Sequence, residues 1–344
     1  MTTTMNLDQI AQAIVADGKG LLAADETVHT LTGRLAAHGI ESTPDSRRAY
    51  REMFFTTPGI ADFISGVIMH DETIRQNGST GTPLVDLLIQ QGVIPGIKVD
   101  SGAKPLAGSP GELITEGLDG LRDRLGAYRQ IGARFAKWRA VIHIGEGLPT
   151  ARCLIANAHA LARYAALCQE QDLVPIVEPE VLMDGGHTIG DCEAVTARVL
   201  HLVFDALFEQ GVRLEGMLLK PSMVIAGRDC RERATVQAVA TATLRTLRRQ
   251  VPPAVPGIVF LSGGQDHVLA TQHLAAISQL DGPKPWKLSF SYGRALQDEA
   301  LEAWQGKSEN VAAGQHAFHH RAQCDSAAAL GRYDSAMESQ SATA

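Results

Sequence analysis

Eight short apolar or β-branched segments recur along the chain, and each is followed by a stretch with the length and amphipathic pattern of a helix. We predict strands at residues 20–25, 63–69, 94–99, 135–142, 173–180, 215–221, 257–263 and 287–293. The predicted helices include 151–170, 193–210, 232–249, 265–280 and one that begins at Thr43 and Pro44. This alternation is typical of parallel α/β folds, so the pattern alone leaves a closed barrel and a doubly wound sheet open.

Polar residues within these strands or at their carboxyl ends favour the barrel. They are Asp25, Lys98, Lys137, Arg139, Glu178, Glu180, Lys220, Ser262, Ser291 and Arg294. Charged residues in buried strands are costly unless they are paired, and in a (β/α)₈ barrel the strand ends together build the active site. We therefore predict a single-domain (β/α)₈ TIM barrel over residues 1–344, with a small, polar and mobile tail at about 332–344.

Composition and charge narrow the class of protein. The formal net charge is -7 and Lys and Arg form no dense block, which disfavours nucleic acid as a partner but allows a phosphorylated small molecule. The five cysteines are scattered, and the first residues lack a basic start followed by an apolar core. No apolar run approaches the ~18 residues of a membrane helix. We expect a cytoplasmic protein with reduced thiols and no membrane association.

Lys220 ends the apolar segment EGMLLKP. Burial disfavours the charged form of an amine, and a second cation nearby has the same effect. Such a lysine can present a neutral amine that attacks a carbonyl. Alternatively, its side chain extends along the apolar surface to reach water at the barrel rim.

Two neighbouring strands and the first strand carry further charged pairs. Lys137 and Arg139 are two residues apart and so share a strand face, as do Glu178 and Glu180, and Asp25 ends the first strand. Cations and carboxylates in one water-poor cavity shift each other's pKa values, which suits acid–base catalysis. The alternative is a set of buried ion pairs with a structural role.

The last two strands end in glycine turns, FLSGGQ and SFSYGRAL. Glycines that precede a helix expose backbone N–H groups to an anion, and barrels often bind phosphate after strands seven and eight. The predicted phosphate ligands are Ser262, Gly263, Gly264, Ser291, Gly293 and Arg294.

The strings LLAADE, GIKVD, FAKWRAV, VEPE, LLKP, FLSGGQ and SYGRALQ, in this order and spacing, resemble the class I fructose-bisphosphate aldolases. The resemblance extends from about residue 10 to residue 333. It implies a homotetrameric (β/α)₈ barrel without metal or cofactor that acts in glycolysis and gluconeogenesis. The implied reaction is reversible cleavage of fructose 1,6-bisphosphate to dihydroxyacetone phosphate and glyceraldehyde 3-phosphate through a lysine Schiff base.

The resemblance also implies roles for the charged residues. Lys220 would form the Schiff base, and Glu178 would be the acid–base group for loss of water. Asp25 would take the proton of the carbon-4 hydroxyl during cleavage. Lys137 would hold substrate hydroxyls and favour the neutral form of Lys220, and Glu180 would orient the lysines.

Substrate contacts follow from the same resemblance. Arg139 and Lys98 would add positive potential, and the six residues of the two glycine turns would hold the 1-phosphate. Thr27, Thr30 and Arg34 would contact the 6-phosphate. The chain has Gly33 where the family usually has a lysine, and it ends in SATA where many relatives end in tyrosine. We expect Glu178 or bound water to supply the proton that this tyrosine would move.

This interpretation has three alternatives. A metal-dependent aldolase would need ligands such as His316, His319 and His320, although solvated histidines on a late helix explain these residues as well. Other Schiff-base barrels, such as transaldolases, lack this set of motifs. A non-enzymatic scaffold derived from an aldolase would have lost a catalytic residue, and none is lost at the matched positions.

Overall fold

The computed structural model describes residues 5–339, and in it eight parallel strands close into a barrel. The strands are β1 (Gly20–Ala24), β2 (Ile64–Met69), β3 (Ile94–Lys98), β4 (Ala103–Pro105), β5 (Leu113–Thr115), β6 (Phe135–Ile142), β7 (Val174–Val181), β8 (Leu218–Leu219), β9 (Gly257–Phe260) and β10 (Lys287–Tyr292). The barrel order is β1-β10-β9-β8-β7-β6-β3-β2, and β4 and β5 form a separate antiparallel hairpin. The predicted (β/α)₈ barrel is confirmed, and the doubly wound sheet is excluded.

Helices separate the strands. They are α1 (Leu7–Ile14), α2 (Val28–Ala37), α3 (Pro44–Phe55), α4 (Asp71–Ile74), α5 (Leu84–Gln90), α6 (Leu121–Ile131), α7 (Ala151–Glu170), α8 (Ile189–Glu209), α9 (Val236–Gln250), α10 (His267–Gln279), α11 (Arg294–Trp304) and α12 (Val311–Ala329). Helix α3 begins as predicted, because the Thr43 hydroxyl accepts the Ser46 N–H and Pro44 occupies the first helical position. In the described part of the chain, no helix is both long and apolar enough to cross a bilayer.

Apolar side chains fill the barrel at the amino ends of its strands. The Phe135 ring occupies the space beside Gly96, where a Cβ would overlap it, so this position requires glycine. Helix α1 covers the same end with the buried side chains of Ile10 and Ile14, which belong to one apolar cluster with Phe135. With this end packed, the carboxyl ends of the strands are the open side of the barrel.

The strand register brings charged residues to one level near those carboxyl ends. Lys98 of β3 pairs with Lys137 of β6, and Arg139 of β6 pairs with Glu178 of β7. Side chains on parallel neighbours at the same register lie side by side. The backbone register alone therefore makes these charged residues neighbours.

Two elements differ from the prediction. Strand β8 has only two residues, because residues 214–216 form a 3-10 turn and Pro221 has no N–H for a ladder. The β4–β5 hairpin was not predicted, since its strands have three residues each. Buried Glu112, beside this hairpin, accepts hydrogen bonds from the Thr150 N–H (2.7 Å) and hydroxyl (2.6 Å) at the start of α7.

The first part of the predicted tail contacts the barrel. Residues Ser335–Ser339 form a 3-10 turn, Glu338 pairs with the fully buried Arg321 of α12, and the Tyr333 hydroxyl donates to Glu338 Oε1 at 2.7 Å. This differs from the expected free tail because the segment docks through a buried charge and not through apolar area. The predicted tail residues 340–344 lie outside the described residues.

A buried carboxyl lies near this docking site. Asp325 Oδ1 is 2.6 Å from the Thr271 hydroxyl, and among the described residues its Oδ2 has no hydrogen-bond partner. The same hydroxyl lies 2.9 Å from the His267 carbonyl and has one proton for two acceptors. A protonated Asp325 can donate to Thr271 and leave the hydroxyl proton for His267. Burial accordingly raises the pKa of Asp325 to about 7.

Candidate active site

A cavity of about 380 Å³ opens at the carboxyl ends of the barrel strands. It is lined by every residue predicted for the site. These are Asp25, Thr27, Thr30, Arg34, Lys98, Lys137, Arg139, Glu178, Glu180, Lys220, Ser262, Gly263, Gly264, Ser291, Gly293 and Arg294. A (β/α)₈ barrel places its active site at this end.

A cluster of two lysines and two carboxylates forms the buried part of the cavity. Lys137 Nζ lies 2.7 Å from Asp25 Oδ2 and 3.1 Å from Glu178 Oε2, and Lys220 Nζ lies 3.1 Å from Glu178 Oε1. Glu178 therefore bridges the two lysines. Only 3% of the surface of Lys137, Glu178 or Lys220 is exposed. Strands β6 and β7 carry Lys137 and Glu178, whereas Asp25 and Lys220 directly follow β1 and β8.

Charge pairing sets the protonation of this cluster. Burial alone would raise the pKa of Asp25, but the charges of Lys137 and Lys220 outweigh it and hold the pKa well below its usual range. Burial would also raise the pKa of Glu178, but the charges of Lys137 and Lys220 outweigh it and lower that pKa. Asp25 and Glu178 in turn overcome the effect of burial on Lys137 and raise its pKa. Near neutral pH both carboxylates are ionised and Lys137 is cationic.

One oxygen of Glu178 is available to a substrate. Glu178 Oε2 is buried and has no hydrogen-bond partner among the described residues, because its contact with Lys137 lacks hydrogen-bonding geometry. A buried oxygen that accepts no hydrogen bond is unfavourable. A ligand hydroxyl that donates to this oxygen would remove that cost.

The end of the cavity that was predicted to bind phosphate consists of two glycine turns. Gly263 and Gly264 have φ of 60° and 83°, a left-handed conformation that favours glycine. Gly293 directly precedes α11, whose first residue is Arg294. The Ser291 hydroxyl is buried and has no partner in the described part of the chain. A hydroxyl without a partner, beside glycine turns and a helix start, suits an anion.

Two predicted substrate contacts, Arg139 and Lys98, already have carboxylate partners. Glu180 pairs with Arg139 and not with either lysine, which differs from the expected orienting role. Lys98 Nζ lies 2.5 Å from Asp100 Oδ1. These pairs neutralise the positive potential expected from Arg139 and Lys98. The sequence did not predict them because spacing along a strand does not show which neighbour a long side chain reaches.

The predicted 6-phosphate contacts lie at the start of α2. Thr27 caps this helix by accepting the Thr30 N–H at 3.2 Å, and the two hydroxyl oxygens are 3.0 Å apart. Arg34 pairs with Glu26 at 2.5 Å and with Asp298 at 2.7 Å. A phosphate bound here has to compete with these internal contacts.

Several residues at the cavity were not predicted. The additional lining residues are Ala23, Glu26, Leu182, Met183, Asp184, Arg228 and Leu261. Glu26 follows Asp25 directly in LLAADE, so its position next to a predicted residue was a usable signal. Arg228 lies in an irregular loop, where no strand or helix periodicity indicates the direction of a side chain. Gln297, fully buried, supports the site by donating to the Ala23 carbonyl at 2.9 Å.

The histidines of α12 have other contacts. The His319 ring packs on the Phe63 ring with 5.1 Å between centroids, and His320 Nε2 lies 2.8 Å from the Met337 carbonyl. Within residues 5–339, no three His, Cys, Asp or Glu side chains are grouped so that they could hold a metal ion.

The fold and the buried lysine–carboxylate cluster define a barrel enzyme of the kind that acts on carbonyl compounds. A family model described as fructose-bisphosphate aldolase class-I matches residues 6–344, and the chain belongs to this family. Class I aldolases are lyases that reversibly cleave fructose 1,6-bisphosphate through a lysine Schiff base, and this glycolytic reaction is the function of the chain.

Individual relatives cover nearly the whole chain. A probable fructose-bisphosphate aldolase class 1 of Xylella fastidiosa strain 9a5c is 55% identical over 333 residues, or 96% of this chain and 99% of the relative. Cytosolic fructose-bisphosphate aldolase 6 of Arabidopsis thaliana is 53% identical over 94% of this chain and 90% of its own length. The solved aldolase of Plasmodium falciparum, in complex with TRAP and a small molecule inhibitor, has a TM-score of 0.94 and 49% identity over 95% of each chain.

Proposed function

We propose that Lys220 is the nucleophile and that its Nζ attacks carbon 2 of fructose 1,6-bisphosphate. The observation that carries this assignment is the Glu178 carboxylate, whose Oε1 lies 3.1 Å from Lys220 Nζ and whose Oε2 accepts no hydrogen bond from the described residues. A nucleophilic amine needs an adjacent base that can also return the proton. Lys137 is less suited to attack, because Asp25 and Glu178 raise its pKa and hold it as an ammonium.

Glu178 acts as base first and as acid second. Because its pKa is lowered, the carboxylate is ionised at the start of the reaction and can take a proton from the Lys220 ammonium, which leaves the neutral amine that adds to the carbonyl. A proton of the new C–N bond's nitrogen passes to the former carbonyl oxygen and gives the carbinolamine. The protonated acid then donates to the carbinolamine hydroxyl, which leaves as water. The iminium between Lys220 and carbon 2 remains, and Glu178 is again a carboxylate.

Asp25 accepts the proton that cleavage releases. Its low pKa keeps it ionised and able to take the proton of the carbon-4 hydroxyl. As that proton leaves, the carbon 4–oxygen bond becomes a carbonyl and the carbon 3–carbon 4 electron pair moves to the iminium nitrogen. Glyceraldehyde 3-phosphate departs and the enamine of dihydroxyacetone phosphate stays on Lys220. Lys137, 2.7 Å from Asp25, keeps that carboxylate in position.

The enamine is then protonated at carbon 3 and hydrolysed. In our proposal Glu178 or a bound water supplies this proton. Glu178, a carboxylate after loss of water, first takes a proton from solvent, and Asp25 returns to solvent the proton that it accepted during cleavage. Glu178 is suited because its Oε1 lies 3.1 Å from Lys220 Nζ and so beside the enamine. Hydrolysis of the resulting iminium releases dihydroxyacetone phosphate and restores the amine.

The two phosphates bind at opposite sets of donors. The 1-phosphate is held by Ser262, Gly263, Gly264, Ser291, Gly293 and Arg294. The 6-phosphate contacts Thr27, Thr30 and Arg34. The buried Ser291 hydroxyl, which has no partner among residues 5–339, supports the first set. Arg34 is already paired with Glu26 and Asp298, so we expect the 6-phosphate to contribute less binding energy than the 1-phosphate.

We also propose that residues 1–344 form one cytoplasmic aldolase domain that assembles as a homotetramer. The Arabidopsis relative named cytosolic supports the location. Phe208 on α8 and Ile155 on α7, 86% and 57% exposed, are apolar side chains that a subunit contact would cover. Sedimentation equilibrium of the purified protein tests the assembly, and a monomer at micromolar concentration would contradict it.

The purified protein should cleave fructose 1,6-bisphosphate with EDTA present, and a coupled assay for the triose phosphates measures the rate. Lys220→Met should reduce this rate by at least about a thousandfold. Lys307→Met, at an exposed position remote from the cavity, is the matched control and should leave it unchanged. Cleavage that persists in Lys220→Met, or that EDTA abolishes in the intact enzyme, would overturn the proposal.

A further inference from the structure

Arg228 is fixed at the rim of the cavity by the chain around it. Its N–H donates to the Met183 carbonyl at 2.6 Å, and the preceding Gly227 N–H donates to the His187 carbonyl at 2.8 Å. A Cβ at Gly227 would overlap the Gly185 carbonyl oxygen, so only glycine allows this close approach of the two loops. The loop after β8 is thereby attached to the loop after β7, and Arg228 lines the same cavity as the cluster described above.

The guanidinium of Arg228 converges with that of Arg294. A Cβ built on Gly264 would lie 3.2 Å from Nη2 of Arg228 and 3.2 Å from Nη2 of Arg294. Both nitrogens are thus within 3.2 Å of one point above the glycine turn and are separated by no more than twice that distance. Two like charges at this separation repel each other unless an anion lies between them. A phosphate, with several acceptor oxygens, suits two guanidinium groups.

These two cations also lack strong internal partners. Within residues 5–339, Arg294 has no carboxylate oxygen within 4.0 Å, in contrast to Lys137, which pairs with Asp25. The contact of Arg228 with Asp184 is 3.8 Å long and both side chains are more than half exposed, so it is a weak, solvent-screened pair. Positive charge that is free to meet a substrate is therefore concentrated at the Gly264 turn.

We propose that Arg228 binds the 1-phosphate of the ketose together with Arg294 and so contributes to selection of phosphorylated substrates. This inference rests on the proposed function and adds a ligand that none of the family motifs contains. Arg228 touches the substrate through its phosphate and takes no part in proton transfer. Its loss should raise KM and leave kcat nearly unchanged.

The test compares Arg228→Met with Arg231→Met, an exposed arginine of the same loop that does not line the cavity. With fructose 1,6-bisphosphate, Arg228→Met should raise KM about fivefold to twentyfold with kcat within about threefold, as expected for a partly exposed charge-assisted contact. Fructose 1-phosphate should show the same loss, because it keeps the 1-phosphate. Inhibition by inorganic phosphate should weaken by a similar factor. Arg228→Lys should recover part of the loss, and Arg231→Met should match the intact enzyme.

Three outcomes would overturn the inference. An unchanged KM in Arg228→Met would show that the side chain does not bind substrate. A loss on fructose 1,6-bisphosphate but not on fructose 1-phosphate would show that Arg228 meets the 6-phosphate. A fall in kcat without a change in KM or in phosphate inhibition would indicate a structural role. Failure of the proposed function is distinguishable, since the intact enzyme itself would then not cleave fructose 1,6-bisphosphate.

Discussion

Replacement of Lys137 by methionine should change the pH dependence of catalysis as well as its rate. Lys137 Nζ lies 2.7 Å from Asp25 and 3.1 Å from Glu178. At an effective dielectric constant of about 20, unit charges at these distances interact by about 6 and about 5 kcal/mol. One pKa unit corresponds to about 1.36 kcal/mol. The contact of 2.7 Å is thus equivalent to about four pKa units. Because Asp25 stays buried, we expect its pKa to rise by about that much.

The sign of the effect follows from which protonation state reacts. In the proposed mechanism Asp25 must be ionised to take the carbon-4 proton, so a raised pKa removes the reactive form as the pH falls. In the intact enzyme this loss occurs far below neutral pH, because the pKa of Asp25 lies well below its usual range. In Lys137→Met, kcat/KM should decline as the pH falls from about 7 to about 5, and its upper limit should be about tenfold to a hundredfold lower.

The assay is kcat/KM for fructose 1,6-bisphosphate between pH 5 and pH 9, with thermal melts to verify folding of each variant. Lys137→Arg keeps the positive charge and is the matched control, so its acid limb should stay where it is in the intact enzyme. A Lys137→Met variant that loses the same factor at every pH would refute the electrostatic role and leave only a contact with substrate.

Three further changes test the fold and the docked C-terminal segment. Asp325→Asn should raise the melting temperature more at pH 8 than at pH 5. The folded protein holds the Asp325 carboxyl protonated, so the intact enzyme loses stability as the pH rises from about 4 to about 7, and the variant does not. An equal gain at both pH values would contradict this. Glu338→Gln should lower the free energy of unfolding in urea by about 1–3 kcal/mol, since buried Arg321 loses one of its two carboxylate partners. The rate of cleavage should stay within about threefold of that of the intact enzyme. An unchanged stability would show that the segment is not docked. Gly96→Ala should lower the free energy of unfolding by about 1–3 kcal/mol through overlap with the Phe135 ring. Adding Phe135→Leu in the same chain should restore part of that stability. An unchanged stability in the single variant would argue against this packing.

The catalytic end of the barrel could be predicted because its residues interrupt apolar segments. A lysine after EGMLL or glutamates in LVPIVEPE are conspicuous when every neighbour is apolar, and parallel strands of one barrel necessarily bring such residues to the same end. The start of α3 was equally predictable, since Thr43 and Pro44 supply a cap and a preset φ. These features depend on residues close together in sequence.

Contacts between distant segments could not be predicted in the same way. Arg139 pairs with Glu180 on the next strand, and Arg321 pairs with Glu338 at the C-terminal segment, but neither spacing carries a periodic signal. Arg228 reaches the cavity because Gly227 lets two loops approach closely, which no local pattern indicates. The choice of partner for a long charged side chain depends on the finished packing, and composition alone predicts only that partners exist.

The identity of the Schiff-base lysine is the central claim, and trapping it is the most direct test. The enzyme should be treated with dihydroxyacetone phosphate and sodium borohydride in the presence of EDTA, digested, and mapped by mass spectrometry. We predict irreversible loss of activity with one adduct per chain, on Lys220, and no adduct in Lys220→Met. An adduct on Lys137 or Lys98, or complete inactivation by borohydride with Lys220 unmodified, would contradict the mechanism.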